Sequence, residues 1–254
     1  MNNLFEILIQ LYNYSRFLGQ VLKSFFTRPV YIRETIEQLY QLGYKSLPIV
    51  TLTAFFTGMV MAFQTGTEMS RFGAKAYIGS VVGISLVREL GPVLTALVVA
   101  GRVGAGITAE LGSMQVTDQI NAMRAMATDP YKKLVLTRVG ALMIILPVLV
   151  ALADLIGIIG GGFIAITNLN VGLEIYQSTI FESLTVDDLI SGLSKPFVFA
   201  FIIGTIGCFL GVNASGGTKG VGNSTTLSVV ASSVLIFLFD FILTKLFFMY
   251  SGPV

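Results

Sequence analysis

The chain has 254 residues, of which 54% are hydrophobic and only 12% are charged, and its formal net charge at pH 7 is +2. A soluble domain carries about twice that share of charged residues, so the composition indicates a membrane protein, and the small net charge argues against a nucleic-acid partner. The sequence contains no histidine and a single cysteine. These counts exclude an internal disulfide, a cysteine-based metal cluster and acid–base chemistry by histidine.

Residues 1–45 predict interfacial amphipathic helices on the cytoplasmic side. Polar residues recur every three or four positions opposite an apolar face, which is typical of a helix lying in the membrane interface; packing on other protein is the alternative. Pro29 predicts the start of a second short helix, and Glu6 interrupts the apolar N-terminus, so no removable signal peptide is expected. The polar face comprises Asn3, Glu6, Gln10, Asn13, Arg16, Gln20 and Lys23; the apolar face comprises Leu4, Leu8, Leu11, Leu18, Leu22 and Phe25.

Residues 46–254 predict a transmembrane domain of about five helices, so the expected fold is an all-α membrane protein. Basic residues are concentrated in the N-terminal region and in the connection 102–138, whereas the connection 167–190 is acidic. The positive-inside rule places the two basic regions in the cytoplasm and the acidic one outside. The predicted spans are 46–67, 76–101, 139–166, 196–212 and 226–249.

Arg88 and Glu89 lie side by side within the second predicted span. Each charge at mid-membrane costs about 2.5–3.5 kcal/mol on insertion scales. Neighbours on a helix point in different directions, so each side chain needs its own partner or water. The sequence offers Asp154, Asp240 and Lys245, in the same chain or in a second copy, and two roles stay open: a polar cavity in a transport path, or a structural ion-pair network. Since Pro92 cannot donate a hydrogen bond to the carbonyl of Arg88, a kink is expected there.

Small residues recur at four-residue spacing in the predicted spans. Such ladders allow helix backbones to approach closely in lipid, within one chain or between copies. The ladders are Ala96, Ala100 and Gly104; Ala153, Gly157, Gly161 and Ala165; Ala200 and Gly204; and Gly207 and Gly211.

Two predicted cytoplasmic segments share features with known binding elements. The Gly/Ser-rich link 211–226 has Gly217 where a Walker A loop needs lysine, so it predicts a flexible turn, and no ATP-hydrolysing site is expected. The segment 110–130 predicts a short amphipathic helix that ends at Asp129-Pro130, with docking into a partner or packing beneath the bundle as alternatives. Its apolar stripe comprises Val116, Ile120, Met123 and Ala127; off the stripe are Asp118, Asn121, Arg124 and Thr128.

The segment RELGPVLTALVVAGRVGAGITAELGSMQVTDQINAMRAMATDP (88–130) closely resembles the signature of the MlaE-type permeases, and GMVMAFQ (58–64) resembles that family too. These permeases are membrane subunits of ABC transporters that move lipids, most often phospholipids, between the inner and outer membranes and so maintain outer-membrane lipid asymmetry. The resemblance implies a homodimer with lipid held between the protomers, two ATPase subunits on the cytoplasmic face, an MCE-domain protein on the periplasmic face and, in some systems, a small STAS-domain protein.

The resemblance also implies roles for particular residues. Lipid-cavity or gating positions would be Met59, Phe63, Gln64, Arg88 and Glu89. ATPase coupling would fall within 110–130, at Glu110, Val116, Asp118, Ile120, Met123 and Arg124. The chain would be a permease without its own cofactor or catalytic residue, with ATP and Mg bound by the partner. It would be a multi-pass protein of a bacterial inner membrane or a plastid inner envelope, with a cytoplasmic N-terminus.

Two other functions are weighed against this one. An intramembrane enzyme would have to work without histidine or paired cysteines. An ion-coupled secondary transporter would use Glu89, Asp154 and Asp240 as proton sites and would need no ATPase.

Overall fold

The computed structural model describes residues 2–25 and 31–251, and in this part of the chain no β-strand occurs. Three one-turn π-helical segments, Leu86–Leu90, Ala100–Gly104 and Tyr131–Leu136, interrupt the α-helices. The helices are α1 (Asn2–Phe25), α2 (Ile32–Gly43), α3 (Leu47–Arg71), α4 (Ile78–Ser85), α5 (Gly91–Val99), α6 (Ala105–Val116), α7 (Gln119–Ala125), α8 (Thr137–Thr167), α9 (Leu173–Ser183), α10 (Val186–Val212) and α11 (Gly217–Ser251).

Five helical stretches are long and apolar enough to cross a membrane, which confirms the predicted all-α membrane fold. The predicted start of the second helix, Pro29, lies outside the described residues, and α2 begins at Ile32. The five stretches are Ile32–Arg71, Lys75–Val116, Tyr131–Thr167, Val186–Val212 and Gly217–Met249.

Two connections are shorter than the sequence predicted. The acidic connection contains the helix α9, and α10 begins at Val186 rather than near residue 196. The flexible link predicted over 211–226 was wrong in extent, because α11 already begins at Gly217 and the turn is confined to 213–216. Gly216 and Gly217 have φ values of 86° and 65°, a left-handed conformation that glycine adopts without a Cβ clash, so the link's glycines serve a tight turn.

The chain divides into two compact units, each described separately. The first unit comprises Met1–Leu42, Ala100–Met143 and Ala200–Val234. In it, α10 lies close to α6: a Cβ added at Gly207 would be 3.2 Å from the carbonyl oxygen of Gly104, and one at Gly211 would be 2.8 Å from the Cβ of Leu111. These two glycines therefore serve packing within the chain.

The helix α1 contributes a stripe of its own to the first unit. Phe17 and Val21 are buried, the ring of Phe17 lies 5.5 Å from that of Phe209, and Tyr14 Oη is 2.9 Å from Thr205 Oγ1. Leu11, Leu22 and Phe25 of the predicted apolar face remain exposed. The helix thus packs on protein with one stripe and keeps a second apolar stripe free, which leaves its placement in the membrane interface a prediction.

The second unit comprises Gly43–Val99, Ile144–Phe199 and Leu235–Val254. Its buried cluster joins α3, α4, α8 and α9 through residues that include Ala62, Val82, Ala165 and Tyr176. A Cβ added at Gly58 would collide with the carbonyl of Gly157, so α3 and α8 meet backbone to backbone. The ladder through Gly157 consequently packs within the chain, because in lipid small residues replace the hydrophobic drive that water supplies.

Candidate functional site

The charged site of the second unit begins with a break in the backbone at Arg88. The segment Leu86–Leu90 is π-helical, and Pro92 lacks the N–H that would bond to the Arg88 carbonyl in an α-helix. The helix is thus irregular at the position where a kink was predicted, and the kink itself stays a prediction. π-Helical turns are often found at functional sites, and here the turn leaves one carbonyl oxygen to be satisfied from another helix.

Lys195 of α10 supplies that donor and connects three helical segments. It is fully buried, and its Nζ donates hydrogen bonds to the Arg88 carbonyl, to Glu89 Oε2 and to Thr244 Oγ1, each at 2.8 Å. Thr244 Oγ1 in turn donates to Glu89 Oε1 at 3.0 Å. A lysine ammonium has three protons, and each has an acceptor here, which is the condition under which a buried cation is tolerated.

Asp240 of α11 is a further carboxylate beside the same ammonium. Its Oδ1 lies 3.0 Å from Lys195 Nζ, which makes it a fourth acceptor beside an ammonium that has three protons. Within the described residues, no group of three His, Cys, Asp or Glu side chains could hold a metal ion. Lys195 is therefore the cation that these two carboxylates share.

Arg88 has its own partner at the start of α10. Its Nε donates to Asp188 Oδ1, and its guanidinium carbon lies 5.6 Å from the ring centre of Phe248. Asp188 is held in place by a reciprocal cap: its Oδ2 accepts from the backbone N–H and the hydroxyl of Thr185, both at 2.9 Å. The sequence Thr-Val-Asp-Asp thus caps α10 and aims one carboxylate at Arg88.

Arg88 and Glu89 bond to different helical residues, in agreement with the expectation that neighbours on a helix cannot neutralise each other. Asp188 and Lys195 are seven residues apart, so they lie on one face of α10, two turns from each other. The six residues Arg88, Glu89, Asp188, Lys195, Asp240 and Thr244 are called the Lys195 cluster below.

Sequence reasoning found only part of this cluster. Of the three candidate partners, Asp240 belongs to it, whereas Asp154 and the exposed Lys245 contact neither Arg88 nor Glu89 among the described residues. Lys195 and Asp188 were missed, because one precedes a predicted span and the other was assigned to an outer loop. The capping pattern Thr185 to Asp188 was the available signal that a helix begins there.

The first-span residues lie apart from the cluster's contacts. Phe63 and Gln64 are exposed on α3, and Met59 is half-buried against the core of the second unit. Exposed side chains of this kind face lipid or a second copy in a membrane protein. Their role at a lipid cavity stays a prediction.

The segment 110–130, for which ATPase coupling is predicted, consists of two helices rather than one. The helix α6 ends at Val116, and Asp118 has a φ of 58°, so the predicted continuous stripe from Val116 to Ala127 is wrong. The short α7 ends at Ala125, ahead of the predicted stop at Asp129-Pro130. The left-handed residue turns the chain between the two helices, which a helical repeat cannot anticipate.

The helix α7 is anchored by one residue and leaves a polar row exposed. Ile120 is fully buried and Met123 is half-buried. On the exposed side, Asn121 Nδ2 donates to Asp118 Oδ1 at 2.8 Å, and Arg124 Nη1 donates to Asn121 Oδ1 at 3.2 Å. The row therefore holds the two opposite charges of Asp118 and Arg124 in a fixed order on the exposed side.

Glu110 has a partner within the first unit. Its Oε1 lies 2.8 Å from Nη2 of Arg138, whose Nη1 donates to the Leu134 carbonyl at 2.8 Å. Arg138 is buried, whereas 54% of the Glu110 side chain is exposed. Glu110 thus balances a buried cation in addition to any contact with a partner.

Comparison with known proteins decides the family. The model of the family described as Permease MlaE matches residues 35–246. The chain belongs to the MlaE permease family. The MlaE match begins within α2 and covers α3 to α10 and most of α11, so it includes all of the Lys195 cluster and the segment 110–130.

Relatives of this MlaE permease occur in bacteria and in a plant. A probable ABC transporter permease protein of Rickettsia prowazekii (strain Madrid E) is 46% identical over 235 residues, which are 92% of this chain and 91% of the relative. A probable ABC transporter permease protein of Synechocystis sp. (strain ATCC 27184 / PCC 6803 / Kazusa) is 40% identical over 92% of this chain and 89% of its own length. The protein Trigalactosyldiacylglycerol 1, chloroplastic, of Arabidopsis thaliana is 38% identical over 92% of this chain and 67% of its own length. The chain is thus an ABC transporter permease of the MlaE family and a multi-pass membrane protein.

Proposed function

We propose that this permease moves lipids, most often phospholipids, between the inner and outer membranes, with lipid bound between two copies of the chain and the cycle driven by a separate ATPase. The observation that carries the proposal is the Lys195 cluster, an ion-paired group set among apolar spans. Its Arg88 and Glu89 side chains are 32% and 38% exposed. An amphipathic cargo needs apolar walls and a polar group at one site, and this arrangement supplies both.

The Arabidopsis relative is named after a galactosylated diacylglycerol, which supports a lipid as the class of cargo. Arg88 gives the polar contact a chemical basis. A guanidinium carries five N–H donors. Among the described residues Arg88 uses only Nε in a hydrogen bond, with Asp188, so four donors remain that could bind a phosphate. Met59, Phe63 and Gln64 would face the acyl chains across the protomer interface.

The proposed partners are assigned to the two sides of the membrane from the distribution of charged residues. The exposed row of α7 would dock on the ATPase, whose ATP and Mg would power the cycle, and a small STAS-domain protein would join it in some assemblies. The N-terminus would be cytoplasmic by the positive-inside rule, and an MCE-domain protein would sit on the opposite, periplasmic side. A bacterial inner membrane, or a plastid inner envelope, would hold the complex.

The test is purification of the full chain from its own membrane, followed by native mass spectrometry and transport. We expect two copies with two ATPase subunits and bound phospholipid, and ATP-dependent transfer of a fluorescent phospholipid from proteoliposomes. Arg88→Gln is expected to reduce transfer at least tenfold. Its control is Arg71→Gln, since Arg71 is exposed and pairs only with Glu68 three residues away.

If lipid occupancy and transfer are unchanged in Arg88→Gln, the proposed contact between Arg88 and a phosphate is ruled out. Transport by the chain alone that stops with an uncoupler would instead establish the ion-coupled alternative. The structure gives that alternative little support at Glu89 and Asp240, because both carboxylates already face Lys195.

A further inference from the structure

An apolar cavity of about 750 Å3 lies in the second unit. Its walls come from α8, α9, the first part of α10 and Val87; Val87 and Leu189 are chain neighbours of Arg88 and Asp188, but none of the charged residues of the Lys195 cluster lines the cavity. The volume is in the range of sites that hold small ligands. Apolar wall residues include Leu155, Ile159, Phe163, Ile180 and Leu193.

Asp154 is the only acidic or basic residue in this wall. It is 7% exposed, and its Oδ1 has no hydrogen-bond partner among the residues that the structure describes. Oδ1 is enclosed against Gly91, where an added Cβ would collide with it, so the accessible oxygen of this carboxyl is Oδ2. Among the described residues Oδ2 has no hydrogen-bond donor either, and a largely buried acceptor without a donor costs about 1–3 kcal/mol.

We propose that this cavity is a second ligand site, which takes a single apolar chain ending in a hydroxyl or ammonium group that donates a hydrogen bond to Asp154. The apolar walls suit a hydrocarbon chain, and the unpartnered acceptor suits a donor. The same acceptor disfavours an anionic end group, because an anion brings oxygen lone pairs and no donor into an apolar setting. The inference goes beyond the transport proposal, since it requires neither the ATPase nor the contact between protomers.

Fluorescence quenching tests the site in the full chain. The sequence contains no tryptophan, so Phe163→Trp places a single fluorophore in the cavity wall, and Phe56→Trp places one on α3 outside it. The native residues are exposed to the same degree, 53% and 54%, which matches the two positions. The chains are reconstituted in nanodiscs of phosphatidylcholine and titrated with three probes of equal chain length: a dibrominated monoacylglycerol, a dibrominated alkyl sulfate and a dibrominated phosphatidylcholine.

We expect saturable quenching of Phe163→Trp by the monoacylglycerol, with half-saturation at a mole fraction roughly tenfold lower than for the alkyl sulfate. Phe56→Trp should show unsaturated quenching by all three probes. Adding Asp154→Leu should weaken binding of the monoacylglycerol roughly tenfold. Asp154→Asn keeps a carbonyl acceptor and should weaken this binding less. Ala151→Phe, which occupies part of the cavity, should also weaken the saturable quenching.

Three outcomes would overturn the proposal: identical unsaturated curves at positions 163 and 56, equal affinity for the uncharged and anionic probes, or no effect of Asp154→Leu on a folded chain. Saturable quenching by phosphatidylcholine that ignores Asp154 would also overturn it, because an ordinary acyl chain would then be the occupant. None of these results bears on ATP-dependent transfer, so the transport proposal fails or stands separately.

Discussion

Lys195 donates a hydrogen bond to the backbone carbonyl of Arg88 over 2.8 Å, and this is the acceptor that Pro92 leaves without a helical donor. The break in one helix and the buried cation of another are therefore parts of one arrangement. Neither is tolerable alone, because a free carbonyl and an unpaired ammonium each cost free energy in an apolar setting.

Replacement of Lys195 by methionine should destabilise the fold. Glu89 and Asp240 would face each other without their shared cation, and the Arg88 carbonyl would lose its donor. Breaking a buried ion pair costs about 3–5 kcal/mol, so the thermal midpoint in detergent should fall by several degrees. Lys219→Met, at an exposed position, is the control, and equal midpoints for the two variants would contradict the prediction.

Glu110→Ala should lower stability, because it leaves the buried guanidinium of Arg138 without its carboxylate. Since Glu110 is half-exposed, we expect about 1–3 kcal/mol, seen as a lower thermal midpoint of the chain without any ATPase. Glu174→Ala provides an exposed acidic control. A role in ATPase coupling alone would leave this midpoint unchanged and would reduce only ATP-dependent transfer by the complex.

Gly58→Ala should be strongly destabilising, because the added Cβ would collide with the carbonyl of Gly157, which is backbone and cannot rotate away. Overpacking of a tight contact costs about 1–3 kcal/mol. Gly106→Ala is the matched control, since a Cβ there meets nothing within 4 Å and alanine favours the helix. A thermal midpoint for Gly58→Ala equal to that of Gly106→Ala would show that α3 and α8 can separate freely.

We predict that the packing of α1 on the first unit weakens at alkaline pH, because the Tyr14 hydroxyl then ionises. Thr205 gives its own proton to the Phe201 carbonyl at 2.7 Å, so Tyr14 is the donor in their hydrogen bond. Burial raises the pKa of Tyr14. Because the phenol ionises less readily in the folded chain, its contribution is complete below the ordinary pKa near 10 and is lost as pH rises through the raised value.

The measurement is the thermal midpoint as a function of pH for Tyr14→Phe and for Tyr12→Phe, an exposed control. Tyr14→Phe should cost about 1 kcal/mol at neutral pH and should show a smaller alkaline loss than the control. Parallel pH curves for the two variants would mean that Tyr14 contributes nothing to this limit.

Hydropathy and small-residue spacing were sufficient to predict the spans and the close helix contacts, because both depend on residue types close together in the chain. The start of α10 was missed because Asp187 and Asp188 read as a loop, although Thr185 and Asp188 form a cap. The link between Glu89 and Lys195 joins residues 106 positions apart, which no local pattern encodes. The left-handed turn at Asp118 likewise depends on tertiary context rather than on residue type.

The ammonium of Lys195 has more acceptors within reach than it has protons. The Arg88 carbonyl, Glu89 and Thr244 accept the three hydrogen bonds. Asp240 lies 3.0 Å from the ammonium, on the same helix as Thr244 and one turn away. A small rotation of α11 that exchanges Thr244 for Asp240 would leave the number of bonds at the cation unchanged. The buried cation therefore keeps a full set of acceptors whichever of these two α11 residues bonds to it.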